Sequence, residues 1–311
     1  MTTITIAVCT YNRAQNLPPL IAALRAQDCP VPFEILVVDN NSSDTTSNTV
    51  ETLINQEGAP VRYAHEPAQG ITYARNRAIA ESLRSDYIAF IDDDELPGPG
   101  WLAASYRALH DEGAECVGGR IDVSRPAMGF PDWITHELLG FLGRLDYGKA
   151  PFWITSPETP VWSGNIAYRT SLFRDNETLR FDVRYNRIGA GVGGGEDAIM
   201  FRTLIKQGSL IRYQPDMRIE HLVDSWKLTR RYFLKLHYLA GVRYGRHQLG
   251  DYPRLALGVP PFLITQFLRQ CAKTATMALL GKTGVLRQAM NASNALGIII
   301  GYAHRTRHPR Q

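Results

Sequence analysis

The first 91 residues alternate between short apolar runs and amphipathic segments. The apolar runs predict β-strands at Thr3–Val8, Glu34–Val38, Val61–His65 and Tyr87–Ile91. The segments between them predict helices at Asn16–Gln27, Asp44–Asn55 and Ile71–Leu83. Strands that alternate with helices form βαβ units, so the sequence predicts an α/β fold with a mostly parallel sheet flanked by helices.

Polar residues follow three of these predicted strands, at the point where each strand ends. They are Thr10-Tyr11-Asn12, Asp39-Asn40-Asn41 and Asp92-Asp93-Asp94. The carboxyl ends of parallel strands share one edge of the sheet, and ligands bind beyond that edge. We therefore predict a binding site there, and a loop from Glu95 to Gly100 after the third cluster.

Asp92, Asp93 and Asp94 are three adjacent carboxylates after a buried strand. Their repulsion disfavours folding unless a cation offsets it, and Mg²⁺ and Mn²⁺ prefer carboxylate oxygens. A solvated acidic turn is the alternative for an isolated triplet, but the preceding strand favours a metal site. If the triplet is extended, Asp93 points away from its two neighbours. We therefore predict Asp92 and Asp94 as the metal ligands of this triplet.

The C-terminal segment, residues 225–311, differs from the rest of the chain. It carries 14 Lys and Arg against one acidic residue, Asp251, whereas residues 1–224 carry 20 Lys and Arg against 29 Asp and Glu. Its apolar runs, Leu255–Leu268 and Ala289–Ala303, are shorter than the roughly 18–20 residues that a spanning helix needs. We predict helices on an anionic membrane surface, with a helical subdomain or an oligomer contact as alternatives. Nucleic acid is a weaker partner, because apolar stretches interrupt the charges.

The cysteines and the N-terminus bear on the compartment. The four cysteines form no C-x-x-C pair, which argues against a zinc site and a disulfide scaffold and fits a reducing compartment. The N-terminus has neither a basic start nor a long apolar run, so no secretory signal is predicted. We expect a cytoplasmic protein, peripheral on the inner face of the plasma membrane.

Gly189–Gly194 matches the pattern G-x-G-x-x-G, which in dinucleotide-binding proteins follows directly on a strand. No strand pattern precedes it here. We predict a mobile loop beside the binding site, Gly189–Gly195, in place of a dinucleotide site.

Six short segments occur in the order typical of one enzyme family. They are Ile6–Arg13, Val37–Asp44, Gly70–Asn76, Phe90–Asp94, Ser163–Asn165 and Gly195–Asp197. Each is a weak signal alone, but their order between Thr3 and about His221 resembles that of family-2 glycosyltransferases. The resemblance implies the GT-A fold, a Rossmann-like nucleotide-binding architecture, for residues 1–224. Residues 225–311 would then form a C-terminal helical extension.

The resemblance also implies a nucleotide-sugar donor and a divalent cation, Mn²⁺ or Mg²⁺. The donor-binding residues would be Thr10, Asn12, Asp39, Arg75, Asp92 and Asp93. Arg75 would face the pyrophosphate, or would lie on the surface of its helix. The metal ligands would be Asp92, Asp94 and His221, with a structural histidine as the alternative.

Asp197 is implied as the general base, with Glu196 as the alternate base or as an acceptor-binding group. Acidic residues also suit the first turn of a helix, so a purely structural role stays open. The acceptor would contact Trp162, Gly164 and Asn165. Trp162 would stack on a sugar ring, unless it belongs to the core.

The implied reaction is inverting transfer of a sugar from a nucleotide-diphosphate sugar, a UDP-sugar, to a hydroxyl of a glycan or lipid-linked saccharide in polysaccharide biosynthesis. A sugar-1-phosphate nucleotidyltransferase is one alternative, disfavoured because Thr10–Arg13 contains no glycine. A non-catalytic nucleotide-sugar-binding scaffold is the other, and the presence of Asp92, Asp94 and Asp197 argues against it.

Overall fold

The computed structural model describes residues 2–124, 129–187 and 194–307. The chain divides into two compact units. The first comprises residues 1–189 and 196–223, and the second comprises residues 190–195 and 224–311. Residues 189–193, which make up most of the predicted glycine loop, lie outside the described residues.

Within the described residues, the first unit contains a nine-stranded sheet. Its strands are β1 (Ile4–Thr10), β2 (Phe33–Asp39), β3 (Val61–His65), β4 (Tyr87–Asp92), β5 (Glu95–Pro97), β6 (Cys116–Val123), β7 (Phe152–Ile154), β8 (Asn165–Arg169) and β9 (Ile211–His221). Their order is β3-β2-β1-β4-β8-β6-β9-β5, and β7 pairs with β9. The first four strands are parallel, as predicted. The other half is mixed, because β5, β7 and β8 run antiparallel to their neighbours.

The register of the parallel strands determines where the polar clusters lie. Every residue of β1 is buried, and β1 pairs with both β2 and β4. Thr10 lies beside Asp39 in one pair, and Cys9 lies beside Asp92 in the other. The three polar strand ends therefore meet at one edge of the sheet, as the sequence predicted.

The described helices of the first unit are α1 (Leu17–Arg25), α2 (Thr46–Ile54), α3 (Ile71–Ser82), α4 (Trp101–His110), α5 (His136–Leu139), α6 (Ser171–Arg174) and α7 (Glu196–Gln207). The first three follow the predicted pattern. Helix α1 illustrates this pattern, because its three leucines and one isoleucine recur at helical spacing and all four are buried in the core. The first three helices and first four strands begin and end within two residues of the predicted positions.

The segment after the acidic triplet corrects one prediction. Glu95–Pro97 is not loop but strand β5, which pairs with the end of β9 so that Glu95 lies beside His221. The chain turns at Asp93 and Asp94, and this reversal gives the last residues of β9 a hydrogen-bonding partner. The prediction was wrong because Pro97 and the following glycines suggest a loop, whereas the pairing partner lies more than 120 residues further along the chain.

The second unit is helical in its described part. It contains α8 (Arg230–Arg243), a π-helical turn at Tyr244–Gln248, α9 (Pro261–Leu279) and α10 (Val285–Arg307). A Cβ on Gly241 would overlap the Asn294 carbonyl oxygen, and a Cβ on Gly301 would overlap that of Val242. Glycines on both α8 and α10 therefore allow the two backbones to approach closely.

The two apolar runs of the second unit both contribute to one small core but differ in how much of each run is exposed. In the run Ala289–Ala303, Ile298 and Tyr302 are buried in a small core together with Leu263. The run Leu255–Leu268 begins with largely exposed residues and enters a helix only at Pro261. Of the helices in the described residues, none is long and apolar enough to cross a membrane.

Candidate active site

The acidic triplet is arranged differently from the extended segment that the sequence suggested. Because the chain turns after Asp92, Asp93 does not point away from the site. One of its carboxylate oxygens accepts a hydrogen bond from Thr10 Oγ1 at 2.8 Å, and the other lies 3.2 Å from Arg13 Nη1. Burial raises the pKa of Asp93 to about 7, although Arg13 opposes the shift. Asp93 is thus an integral part of the cluster.

Asp94 lies between a guanidinium and an imidazole. Its Oδ2 is 2.8 Å from Arg13 Nη1 and 3.6 Å from His221 Nε2. The neighbouring Glu95 is buried, and its Oε2 accepts a hydrogen bond from the Asp92 backbone N–H at 3.0 Å. Burial, with the negative charges of Asp92 and Asp94, raises the pKa of Glu95 well above its usual range. The strand end therefore carries four successive acidic side chains.

Arg75 is buried, with only 4% of its side chain exposed, so it is not a surface residue of α3. Its Nη2 donates to Asp92 Oδ1 at 3.1 Å, and its Nη1 donates to Glu196 Oε1 at 2.7 Å. Burial disfavours the charged guanidinium, but the charges of Asp92 and Glu196 outweigh it and raise the pKa of Arg75. Arg75 thus joins the acidic triplet to the first turn of α7.

Glu196 and Asp197 occupy that first turn. Glu196 is buried, and its Oε2 has no hydrogen-bond partner among the described residues. Asp197 Oδ1 accepts a hydrogen bond from the Ala198 backbone N–H at 2.7 Å. Burial, reinforced by the charge of Glu196, raises the pKa of Asp197 to about 6 even though Arg75 lowers it. A carboxylate with this pKa suits general-base chemistry near neutral pH.

The second polar cluster lies at the ends of β1 and β2. Asp39 is buried, and its two carboxylate oxygens accept hydrogen bonds from the Ser42 backbone N–H and the Tyr63 hydroxyl, both at 2.9 Å. Asn12 has a φ of 51°, a left-handed conformation that asparagine tolerates. Its Oδ1 accepts a hydrogen bond from the Ser43 backbone N–H at 2.7 Å. Asn12 therefore holds the loop that follows β2.

The three predicted acceptor residues have unequal exposure. Asn165 is fully buried, accepts from Trp101 Nε1 at 2.8 Å, and donates to the carbonyls of Arg120 and Met217. Gly164 is also buried, and a Cβ there would lie 2.5 Å from Glu95 Oε1. Trp162 is partly buried and packs against the core. Only Trp162 among the three retains an accessible side-chain surface.

The donor chemistry of the strand end suits a hard divalent cation, because it combines carboxylate oxygens with an imidazole. In the described residues, no three His, Cys, Asp or Glu side chains converge as a metal site would require. Asp92 contacts Arg75 and Asp94 contacts Arg13, so guanidinium groups supply the positive charge beside the two carboxylates.

Two residues of the cluster had no role in the sequence prediction. Arg13 ends the first family segment and directly follows the polar cluster Thr10-Tyr11-Asn12, which could have identified it as a site residue. Glu95 extends the acidic triplet by one residue, but it was placed in a loop. Recognition that a fourth acidic residue follows the buried strand would have included Glu95 in the site.

Comparisons with known proteins agree with this architecture. The sequence pattern described as "Glycosyl transferase family 2" matches residues 5–176, more than half of the 311-residue chain. The succinoglycan biosynthesis protein ExoM of Rhizobium meliloti is 28% identical over 256 residues, which cover 78% of this chain and 74% of ExoM. The hyaluronan synthase of Pasteurella multocida is 31% identical over 236 residues, which cover 67% of this chain and 23% of the synthase.

Solved structures share the fold. The mannosyltransferase PcManGT of Pyrobaculum calidifontis, in complex with GDP-Man and Mn²⁺, has a TM-score of 0.60 at 19% identity, over 99% of this chain and 88% of that chain. S. aureus TarS, in complex with UDP-GlcNAc, has a TM-score of 0.56 at 17% identity, over 100% of this chain and 93% of that chain. These likenesses confirm the GT-A fold, and with the match over more than half of the sequence they show that the chain belongs to glycosyl transferase family 2.

Proposed function

We propose that this glycosyltransferase moves a sugar from a nucleotide-diphosphate sugar, a UDP-sugar, to a hydroxyl of a glycan or lipid-linked saccharide in polysaccharide biosynthesis. A role in polysaccharide biosynthesis is supported by two similar proteins, a succinoglycan biosynthesis protein and a hyaluronan synthase. The UDP-GlcNAc complex of TarS supports the donor class. Family membership favours sugar transfer over the nucleotidyltransferase alternative.

The observation that carries the proposal is the buried contact of Arg75 with Asp92 and Glu196. It joins the end of β4, where a nucleotide diphosphate would bind, to the first turn of α7, where the proposed base Asp197 lies. Donor activation and proton removal must occur on opposite sides of one reacting carbon. The buried Arg75 guanidinium contacts both places, so it can hold the donor-binding strand end and the base in a fixed geometry.

Thr10 and Asp39 line the nucleotide pocket in this proposal. Ser42 and Tyr63 orient the Asp39 carboxylate. Each carboxylate oxygen has a second lone pair, so Asp39 can still accept a hydrogen bond from a base or ribose. Asn12 acts indirectly, because its side chain shapes the loop that follows Asp39.

Asp92, Asp94 and His221 are the proposed ligands of Mn²⁺ or Mg²⁺, and binding of the ion would require these three side chains to move closer together than they are in the structure. The Mn²⁺ complex of PcManGT supports a divalent cation in this fold. When bound, such an ion supplies positive charge that stabilises the diphosphate leaving group. Arg13 and Asp93 border the same space, and the Arg13 guanidinium can add a hydrogen bond to a phosphate oxygen. Arg75 is assigned a positioning role here, because its two side-chain hydrogen bonds are both to carboxylates.

Asp197 is the proposed general base, and it takes the proton from the acceptor hydroxyl as that oxygen attacks the anomeric carbon. The transfer is then a single displacement that inverts the anomeric centre, without a covalent intermediate. Glu196 Oε2, buried and without a partner among the described residues, can accept a hydrogen bond from the acceptor. Trp162 would stack on an acceptor sugar ring, whereas Gly164 and Asn165 shape the wall beneath it.

We also propose that residues 225–311 dock on the anionic inner face of the plasma membrane, which places the enzyme in the cytoplasm. The supporting observation is the charge of this segment, 14 Lys and Arg against one Asp. A lipid-linked acceptor would be presented at the same surface. Electrostatic attraction of this kind weakens with salt.

A donor panel tests the proposed reaction. The full chain is incubated with several UDP-sugars and with GDP-mannose in the presence of Mn²⁺, and release of nucleoside diphosphate is measured with and without oligosaccharide acceptors. One UDP-sugar should raise the melting temperature and release UDP, and EDTA should abolish both effects. Stabilisation by GDP-mannose alone would contradict the donor assignment, and release that is insensitive to EDTA would contradict the metal assignment.

A further inference from the structure

A short turn in the second unit displays a leucine almost completely to solvent. Ala256 and Val259 form an isolated antiparallel bridge, and Leu257 and Gly258 form the turn between them. Leu257 is 96% exposed, and its φ of 55° is in the left-handed region. Val259, two residues later, is buried in a core with Leu263 and Ile298. The turn is thus anchored at its base while its apolar tip has no protein cover.

Helix α9, which begins just after this turn, carries a second exposed apolar row. Leu268, Ala272, Ala275 and Leu279 recur at spacings of four and three residues, so they align along one face of the helix. All four are exposed, and Leu279 is 87% exposed. Leu263, Phe267 and Met277, at other positions of the helix, have less exposure. The apolar row is therefore separate from the side of α9 that contributes to the core.

The charges beside these apolar groups are all positive. Arg254 precedes the turn, Arg269 and Lys273 form the adjacent row of α9, and Lys282 follows its end. The sequence contains no Asp or Glu after Asp251, and Asp251 is itself paired with Arg305. Exposed apolar side chains next to basic ones are typical of helices that lie in the interface of an anionic bilayer.

We propose that the Leu257 turn and the exposed apolar row of α9 insert into the acyl boundary of an anionic bilayer, with the neighbouring basic residues on the lipid phosphates. This inference rests on the membrane docking proposed above and identifies the surface that performs it. A second copy of the chain fits less well, because a symmetric contact through this face would bring the same arginines and lysines together. An exposed leucine makes no favourable contact with a phosphate backbone, so nucleic acid is not the favoured partner of this surface.

Vesicle co-sedimentation of the full chain tests the proposal. The chain is mixed with vesicles of phosphatidylcholine and phosphatidylglycerol, or of phosphatidylcholine alone. Wild-type protein should pellet with the anionic vesicles only. Leu257→Asp should weaken this binding at least about tenfold, because a leucine no longer enters the apolar layer. Leu279→Asp should act in the same direction.

The matched control is Leu210→Asp in the first unit, because Leu210 is also exposed (54%) but has no part in the proposed surface. It should bind vesicles as the wild type does. Equal melting temperatures will show that the variants are folded, as expected for exposed positions. Light scattering of the free protein gives its oligomeric state in the same set of variants.

The outcomes separate this inference from the other proposals. If Leu257→Asp and Leu279→Asp pellet like the wild type, residues 225–311 still bind the membrane, but the Leu257 turn and the apolar row of α9 are not the surface that inserts. If the wild type does not pellet with anionic vesicles, docking and insertion both fail. If the wild type is a dimer that Leu257→Asp dissociates, and neither binds lipid, the surface is a subunit contact. Sugar transfer to a soluble acceptor is measured separately and should not depend on Leu257.

Discussion

Arg75 is the residue whose role the sequence described least well. The resemblance left Arg75 either facing the pyrophosphate or on the surface of its helix, and the structure excludes the surface position because the guanidinium is buried against Asp92 and Glu196. These partners lie 17 and 121 positions away in the chain. No local pattern could pair them, whereas the strand-end position of Asp92 and the first-turn position of Asp197 both follow from periodicity.

Replacement of Arg75 by methionine should destabilise the first unit and abolish transfer. The change leaves Asp92 and Glu196 with uncompensated charge, which costs about 3–5 kcal/mol for a buried pair. Denaturant unfolding gives the free energy, and product formation gives the activity. Addition of Glu196→Gln to Arg75→Met should recover part of the stability without recovery of transfer.

Arg77→Met on the same helix is the matched control. Arg77 is 41% exposed and pairs with Glu81 one turn along α3, and such surface pairs contribute about 0–1 kcal/mol. If Arg75→Met lowers the free energy of unfolding no more than Arg77→Met does, the buried contact stabilises the first unit no better than a surface ion pair.

The pKa of Asp197 predicts how transfer depends on pH. A base acts only when it is deprotonated, and with a pKa of about 6 Asp197 is mostly ionised above pH 6 and mostly protonated below it. The turnover number should therefore fall about tenfold per pH unit below that value. It is measured with saturating donor, while donor affinity and melting temperature are followed over the same range. A turnover number that stays constant from about pH 7 to about pH 5 would exclude Asp197 as the base.

At the scale of elements, the site depends on pairings between distant strands. The turn after Asp92 brings Asp93 back to Thr10, and β5 brings Glu95 beside His221. The sequence predicted β1 to β4 because they are short, largely apolar segments that alternate with amphipathic helices. It did not predict β5, because a three-residue edge strand has no periodicity of its own and forms only where β9 is available.

Gly119 tests the closest of these strand contacts. It lies in β6 at an irregularity of the pairing with β9, and a Cβ there would overlap the Met217 carbonyl oxygen and approach Asn165 Nδ2. Because a backbone carbonyl cannot move freely, Gly119→Ala should lower the free energy of unfolding by about 1–3 kcal/mol. Gly140→Ala is the control, since a Cβ there meets nothing within 4 Å. Equal stability of the two variants would contradict the close approach of β6 and β9.

At the scale of the whole molecule, the chain combines two units of different charge. The acidic strand ends belong to the first unit, and all of the basic excess belongs to residues 225–311. Composition and periodicity predicted this division of charge and the fold class. They did not predict that Ile298 and Tyr302 are used for internal packing or that Leu257 and Leu279 are exposed, because amphipathic patterns do not tell which apolar face meets a partner helix.

The central claim is that one site binds the donor through a metal at Asp94 and removes a proton through Asp197. Calorimetric titration of UDP with Mn²⁺ into Asp197→Asn and Asp94→Ala, with transfer measured on the same samples, tests it most directly. Asp197→Asn should bind UDP like the wild type and lose transfer, whereas Asp94→Ala should lose the Mn²⁺-dependent part of binding. Undiminished transfer by Asp197→Asn, or unchanged Mn²⁺-dependent binding by Asp94→Ala, would contradict the account.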